Sequence, residues 1–371
     1  MPTNTAAWIR HKHAKLEVGP ATYPRPAAGQ ILVRNHAVAV NPVDWIIQVE
    51  GSLLFGWLKY PAVLGSDVAG EVVEIGPQVT RFQIGDRVFG HAVGTDKDTN
   101  DPAQGAFQSY SVLLERMTAP IPKSMPYENA AVLPLAVSSA SSGLFQSDNL
   151  GLQLPSANPA ATGQTVLVWG GSTSVGCNAI QLAVAAGYDV ITTASPRNFE
   201  FVTALGASQV FDYHSATVEA DIMEAFTGRT LAGAISFGAT GAPSCVRILG
   251  RLPGNRFLSI ATPPVSFAGL ATGGWPEKLR VTVRLISSNI ALQFRSRSRR
   301  IRIKYIAGTS LKNNEVSTAI YRDYLPDALS EGRYVAAPNP TVVGNDLSDI
   351  QRAMDILLAG VSASKIVVTL P

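Results

Sequence analysis

Along the first 130 positions the apolar residues fall in short runs broken by Gly and Pro, with little helical recurrence. Gln30–Val40 (QILVRNHAVAV) reads as an apolar strand that stops at the turn signal Asn41–Pro42. Gly65–Gly76 (GSDVAGEVVEIG) has the pattern of a hairpin arm with glycines at its bends, and Arg81–Gly90 reads as a turn into another strand. This half predicts a compact β-barrel with little helix. Near residue 127 the pattern changes. Tyr127–Leu150, after Pro126, is Ala/Ser/Leu-rich with a helical period.

Strands and helices then alternate. Thr165–Trp169 is a buried strand, followed by a glycine turn, a helix to Ala186 closed by Gly187, and a second strand at Asp189–Ala194. Asn198–Leu205 reads as helix and Gln209–Phe211 as a short strand. Such β-α-β alternation predicts a doubly wound parallel sheet. Towards the C-terminus, Val316–Glu331 and Ser348–Leu358 are helical in period, and Lys365–Leu370 closes as a strand. Residues 94–105 form a polar surface loop, and residues 262–300 read as including an irregular insertion. The expected division is 1–130 with 311–371 as one domain and 131–310 as the other.

A chain of 371 residues exceeds one ordinary core, consistent with two domains. Its 46% hydrophobic and 15% charged residues are those of a soluble globular enzyme. No apolar run is long enough to cross a membrane, and MPTNTAAWIRHKHAK lacks the apolar core of a signal peptide, so a cytoplasmic protein is expected. Cys177 and Cys245 cannot make a disulfide framework, and no C-x-x-C offers a zinc site. The net charge of +3 hides a local cluster, Arg295–Lys304 (RSRSRRIRIK), without which the chain would be net negative.

The glycine turn, Val166–Gly176 (VLVWGGSTSVG), departs from G-x-G-x-x-G by carrying Thr173 at the middle position. A strand running through glycines into a helix leaves free N–H groups aimed at an anion such as pyrophosphate. Ser172, Thr173 and Ser174 add three hydroxyls. An NAD site carries Asp or Glu at the end of its second strand, bonded to the ribose 2′-hydroxyl. Here that strand ends Thr192-Thr-Ala-Ser-Pro-Arg-Asn198, and Asp189 lies at its start. Ser195, Arg197 and Asn198, with Tyr213 after the third strand, could all donate to a 2′-phosphate. NADPH is the expected cofactor.

Taken together, Asn41–Trp45 (NPVDW), Gly65–Gly70 (GSDVAG), Gly85–Val88 (GDRV), the 166–176 turn and Ser364–Val368 (SKIVV) resemble the medium-chain dehydrogenase/reductase superfamily. Each motif alone is weak; their order and spacing are specific. The resemblance implies an α/β protein with a GroES-like β-barrel catalytic domain, a Rossmann cofactor domain, and substrate held between them. The family's zinc alcohol dehydrogenases carry an early Cys ligand, a G-H-E-x-x-G segment and a four-cysteine loop. This chain has Pro42-Val43-Asp44-Trp45 and Gly65-Ser66-Asp67 at the first two and lacks the third, so no metal is expected; Asp44, Asp67 and His91 are a thin set for tetrahedral zinc.

The zinc-free quinone oxidoreductases and enoyl reductases remain, and GGSTSVG, TASPRNF and FDY resemble the cofactor segments of fungal trans-acting enoyl reductases. The resemblance implies cofactor contacts at Pro42, Val43, Asp44, Trp45, Ser172, Thr173, Ser174, Val175, Ser195, Pro196, Arg197, Asn198, Tyr213, Ile260 and Ala261. It implies substrate contacts at Leu135, Ala136, Val137, Ser138, Ser139, Ala140, Ser141 and Ser142. Those serines equally suit close packing of a helix on a sheet, and Lys59 or Tyr60 could also reach a substrate. No residue is assigned as proton donor.

The expected reaction is NADPH-dependent reduction of an activated C=C bond in a small or acyl-carrier-bound enoyl substrate. Quinone or carbonyl reduction and a non-catalytic NADPH-binding role are the alternatives. The Arg295–Lys304 cluster reads as a solvated strand edge or as a dock for an acidic acyl carrier protein or a phosphopantetheine phosphate, and a polyketide synthase is a further expected partner. Nucleic acid is not expected, since stacking aromatics are lacking apart from Tyr305. A monomer is favoured over a homodimer.

Overall fold

The computed structural model describes residues 3–51, 53–271 and 273–371. Met1 and Pro2, part of the stretch that lacks a signal peptide's apolar core, lie outside the described residues, as do Ser52 and Thr272. The chain divides into two compact units, Met1–Leu135 with Leu311–Pro371, and Ala136–Ser310. The change in composition puts the first boundary a few residues earlier.

The first unit begins with β1 (Asn4–Ile9), β2 (Leu16–Ala21), β3 (Gln30–Ala39), β4 (Ala62–Val63), β5 (Asp67–Ile75), β6 (Arg87–His91), β7 (Tyr110–Leu114) and β8 (Thr118–Pro120). Asn41–Pro42 proves to be a helix start and not only a turn. Asn41 is the N-cap, Pro42 takes the first turn, where a missing N–H does no harm, and the helix runs Pro42–Glu50.

The second unit holds β9 (Gln164–Trp169), β10 (Asp189–Ala194), β11 (Gln209–Asp212), β12 (Thr230–Ser236), β13 (Phe257–Ile260) and β14 (Arg302–Tyr305). They form a wholly parallel sheet in the order β11-β10-β9-β12-β13-β14, the doubly wound Rossmann arrangement. The expected helix 127–150 is broken before Pro134 into Tyr127–Ala130 and Pro134–Phe145. Residues 262–300 are not an irregular insertion throughout: Trp275–Ser298 is one 24-residue helix. It has large apolar residues on two faces, which blurs the one-sided period by which a surface helix is recognised.

The C-terminal segment returns to the first unit, where β15 (Pro340–Gly344) and β16 (Lys365–Thr369) complete the sheet β15-β16-β3-β5-β6-β8, with β7 also on β3. Three registers fix the geometry at one end of this sheet. Ala39 lies opposite both Val367 and Asp67, and Asp67 lies opposite His91. The end of β3 and the termini of β5, β6 and β16 therefore meet at one place.

Candidate functional site

In the second unit, β9 ends in Trp169 and the chain turns through Gly170, whose φ of 91° favours glycine. Gly170 N donates to Thr193 Oγ1 (2.9 Å) and Gly171 N to Thr193 O (2.9 Å), which ties the turn to β10. A Cβ on Gly171 would lie 2.2 Å from Thr192 Oγ1, and one on Gly176 2.2 Å from Gly170 O, so both glycines are sterically required. Thr173 is the N-cap of the Ser174–Ala185 helix: its hydroxyl accepts from Gly176 N (3.1 Å) and donates to Gly170 O (2.8 Å). Of the three expected hydroxyls, that of Thr173 is thus committed to the turn itself. Ser174 Oγ is buried without a partner. Ser172 and Val175 are half-buried beside it.

At the end of β10, Ser195 Oγ donates to Tyr213 Oη (3.4 Å), while Pro196 and Arg197 are exposed and Asn198 is buried. Tyr213 packs on His214, ring centroids 4.0 Å apart. Asp189 lies at the far end of the strand and pairs with Arg229 at 3.1 Å. Asp212 is turned onto its own loop, accepting from His214 N (3.0 Å). The turn therefore presents hydroxyls and a guanidinium with no carboxylate at this end of β10. Beside it lies a cavity of about 580 Å³, lined among others by Trp169, Tyr213, Ser215, Thr240 and the ion pair of Glu219 with Arg247. That volume suits a nucleotide-sized group. Trp169, Thr240 and Arg247 were not singled out from sequence; Trp169 ends β9 and Thr240 follows the end of β12. Ile260 is buried at the end of β13, and Ala261 N donates to Ser236 O (3.0 Å).

Of the residues expected to touch substrate, Leu135 and Ser139 are half-buried and Ala136, Val137, Ser138, Ala140, Ser141 and Ser142 are buried. Ser142 Oγ donates to Gln146 Oε1 (2.7 Å), and Ser141 Oγ has no partner. A Cβ on Gly143 would lie 2.6 Å from Ile235 Cδ1, and Ser259 Oγ donates to Gly143 O (2.9 Å). Small residues let this helix press on β12 and β13, which accounts for much of its serine and alanine content.

In the first unit, the strand ends assemble a buried polar cluster. Asp67 accepts from Asn41 Nδ2 (2.7 Å), Leu135 N (2.6 Å) and Lys365 Nζ (2.8 Å), and Lys365 also donates to Asn41 Oδ1. Asp44 accepts from Asn41 N (2.7 Å) and Gly65 N (3.2 Å), so both its oxygens are taken up by backbone amides. Burial, opposed by those amides and reinforced by nearby Asp67, pushes the Asp44 carboxyl up to about 7. Trp45 is half-buried with its indole N–H unpartnered, and Pro42 and Val43 occupy the first turn of the helix. Tyr60 Oη donates to Gly51 O (3.3 Å), and Lys59 is exposed. His91 is buried with neither ring nitrogen partnered, and burial lowers its pKa to about 4 against the pull of Asp67.

The fold's zinc enzymes make a metal at this place the natural alternative, and the donor set does not fit it. Zinc needs three or four deprotonated ligands. Here an ammonium and an amide N–H₂ point at the buried Asp67 carboxylate, backbone amides take up both oxygens of Asp44, and no group of three or more His, Cys, Asp or Glu is gathered for a metal among the described residues. Both thiols lie elsewhere, buried, with burial holding them well above their usual range. A nicotinamide dinucleotide does fit the second unit: the glycine turn has no room for Cβ atoms, Ser174 Oγ waits unpartnered, and the cavity beside Tyr213 is open.

The profile of the alcohol dehydrogenase GroES-like domain matches residues 27–123. The chain is 52% identical to the dehydrogenase pigH of Monascus ruber over the whole of both chains. It is 36% identical to the trans-enoyl reductase himH of Aspergillus japonicus, over 98% of this chain and 97% of that one. An alcohol dehydrogenase superfamily protein from Novosphingobium aromaticivorans superposes with a TM-score of 0.74 at 25% identity, covering all of both chains.

Proposed function

The chain belongs to the medium-chain dehydrogenase/reductase superfamily, and within that oxidoreductase family we propose an NADPH-dependent, zinc-independent enoyl reductase that adds hydride to the β-carbon of an activated alkene. The observation that carries this reading is Lys365, whose ammonium group lies against Asp67 and Asn41 where a metal enzyme would gather ligands. An alcohol or an unactivated carbonyl needs a Lewis acid or a positioned general acid or base to activate it. The β-carbon of an unsaturated thioester is already electrophilic, so position and a nearby hydride donor suffice. The trans-enoyl reductase activity named for the Aspergillus japonicus relative supports the same reaction class.

When bound, the cofactor supplies the hydride, and the α-carbon takes up one proton, so the alkene is reduced and NADPH oxidised. The turn at Gly170–Gly176 and Ser174 would hold the pyrophosphate at the helix N-terminus. Ser195, Arg197 and Tyr213 would hold the 2′-phosphate. Fixing the dinucleotide at those points restricts the motion of the nicotinamide relative to the acceptor, the main contribution available to a site without a metal.

The test is NADPH oxidation with crotonyl thioesters, quinones and aldehydes, followed by product identification. Saturated thioester as the efficient product, undiminished after exhaustive chelation, is the expected result. Turnover of quinones or aldehydes alone would replace this reading with a quinone or carbonyl reductase. Tight NADPH binding with no turnover of any of them would favour a binding protein.

A further inference from the structure

The helix Trp275–Ser298 carries two apolar faces. Val281 and Leu292 are buried, facing the second unit's own core. Trp275, Leu279, Val283, Ile286, Ile290 and Phe294 are instead exposed, from 49% at Leu279 to 75% at Trp275. Their steps of four, four, three, four and four keep them in one straight stripe on a helix of 3.6 residues per turn, about 28 Å long at 1.5 Å per residue. A contiguous row of large apolar side chains in water marks an interaction surface.

Charge narrows the occupant. Between residues 261 and 300 the sole acid is Glu277, against Lys278, Arg280, Arg284, Arg295, Arg297, Arg299 and Arg300. At 100° per residue, Arg280, Arg284 and Arg295 fall along one flank of the stripe together with Glu277, which pairs with Arg280 (3.4 Å), while Lys278, Thr282, Asn289 and Gln293 lie along the other. A second copy laid antiparallel on the stripe would set the two arginine rows side by side. Three arginines on one edge against a single lysine on the other, with one acid in the whole segment, suit a protein with an apolar contact strip and carboxylates concentrated along one side.

We propose that the outward face of the Trp275–Ser298 helix docks the acidic carrier protein that delivers the enoyl substrate. This rests on the enoyl reductase reading and assigns it a surface. Arginine and Trp275 would supply the main contacts, as in other protein interfaces, and attraction between opposite charges would speed association and weaken with salt.

The experiment compares crotonyl-loaded acyl carrier protein with crotonyl-N-acetylcysteamine, using wild type, Leu279→Ser/Ile286→Ser and Arg284→Glu/Arg295→Glu. All four positions are at the surface, and an unchanged Tm checks folding. The expected result is a rise of about tenfold in KM for the carrier-bound substrate, with kcat unchanged and neither parameter altered for the free thioester; tenfold is about 1.4 kcal/mol, the scale of a single interface contact. Equal effects on both substrates, or none on either, would overturn the proposal. So would a wild-type dimer that the serine variant dissociates, or sedimentation with phosphatidylserine vesicles. If neither thioester is reduced, the enoyl reductase reading has failed, and fluorescence titration with labelled carrier protein decides docking alone. Binding lost in the arginine variant supports it, and absence of wild-type binding ends it.

Discussion

Lys365 Nζ and Asp67 Oδ2 lie 2.8 Å apart with both side chains buried, although the two residues stand near opposite ends of the chain. The pair is assembled by strand register: β16 lies on β3, β3 on β5, and Lys365 and Asp67 are the first residues of their strands. Removing one partner of such a pair strands a charge. Lys365→Met is expected to lower stability by about 3–5 kcal/mol. Asp67→Asn/Lys365→Met removes both charges and should recover more than half of that loss, read by urea unfolding at pH 7. Losses that simply add in the double variant would mean that the two groups do not act as a pair.

His91 makes the opposite prediction. Neither ring nitrogen has a partner, so His91→Phe abandons no hydrogen bond and should leave stability at pH 7 equal or higher. The folded pKa of about 4 lies below the ordinary 6.5, so the neutral ring is favoured in the folded state. The associated stability is whole above pH 6.5 and is lost as pH falls through 4, an effect of about 3 kcal/mol. Asp44 runs the other way: its contribution is whole below pH 3.8 and is lost as pH rises through about 7. Unfolding free energies of wild type and His91→Phe at pH 7, 5.5 and 4 separate the two. The variant should gain on wild type at each step down, and parallel curves would rule out the assigned titration.

Much of this architecture is legible in the residues. The β9–turn–helix unit announces itself through buried β-branched residues, glycines and a following apolar helix, and the missing acid at the end of β10 is as visible as its presence would be. Asn41–Pro42 misleads because Asn and Pro start helices and turns by the same local chemistry; only the residues after Pro42 distinguish them. The helix within 262–300 is hidden by its second apolar face, which has no counterpart in the chain's own core. The partners of Asp67 are illegible for another reason. Lys365 and Asn41 reach it through the register of two strand pairings, and no local pattern of side chains reports the sum of two registers.

Ser195, Arg197 and Tyr213 bear on cofactor choice. Arg197 is exposed on the turn after β10, near the Ser195–Tyr213 contact. A charge-assisted bond to a phosphate is worth about 1.5–3 kcal/mol, so Arg197→Ala should raise the NADPH KM about tenfold to a hundredfold and change NADH less than threefold. Ser195→Asp places a carboxylate at the strand end and should invert the preference. Steady-state kinetics with both cofactors check this; equal losses for the two would remove the 2′-phosphate from the turn.

Thr173 tests what the departure from the glycine pattern does. Its hydroxyl satisfies Gly176 N, which a glycine at this position would leave to water or to a ligand, and adds a second bond to Gly170 O, which the Thr173 backbone N–H already reaches (3.1 Å). Thr173→Val keeps the branched shape and removes both bonds, so it should lower stability by about 1 kcal/mol, the usual scale for a lost cap. Thr173→Gly should cost only a few tenths, because glycine is itself tolerated at an N-cap. If the hydroxyl serves the turn alone, Thr173→Gly leaves the NADPH dissociation constant within about twofold of wild type, since the amides and Ser174 still face the anion. A tenfold loss of NADPH affinity in Thr173→Gly, with stability unchanged, would mean that the hydroxyl leaves its cap and reaches the phosphate. Unfolding and fluorescence titration on the same two variants distinguish these outcomes.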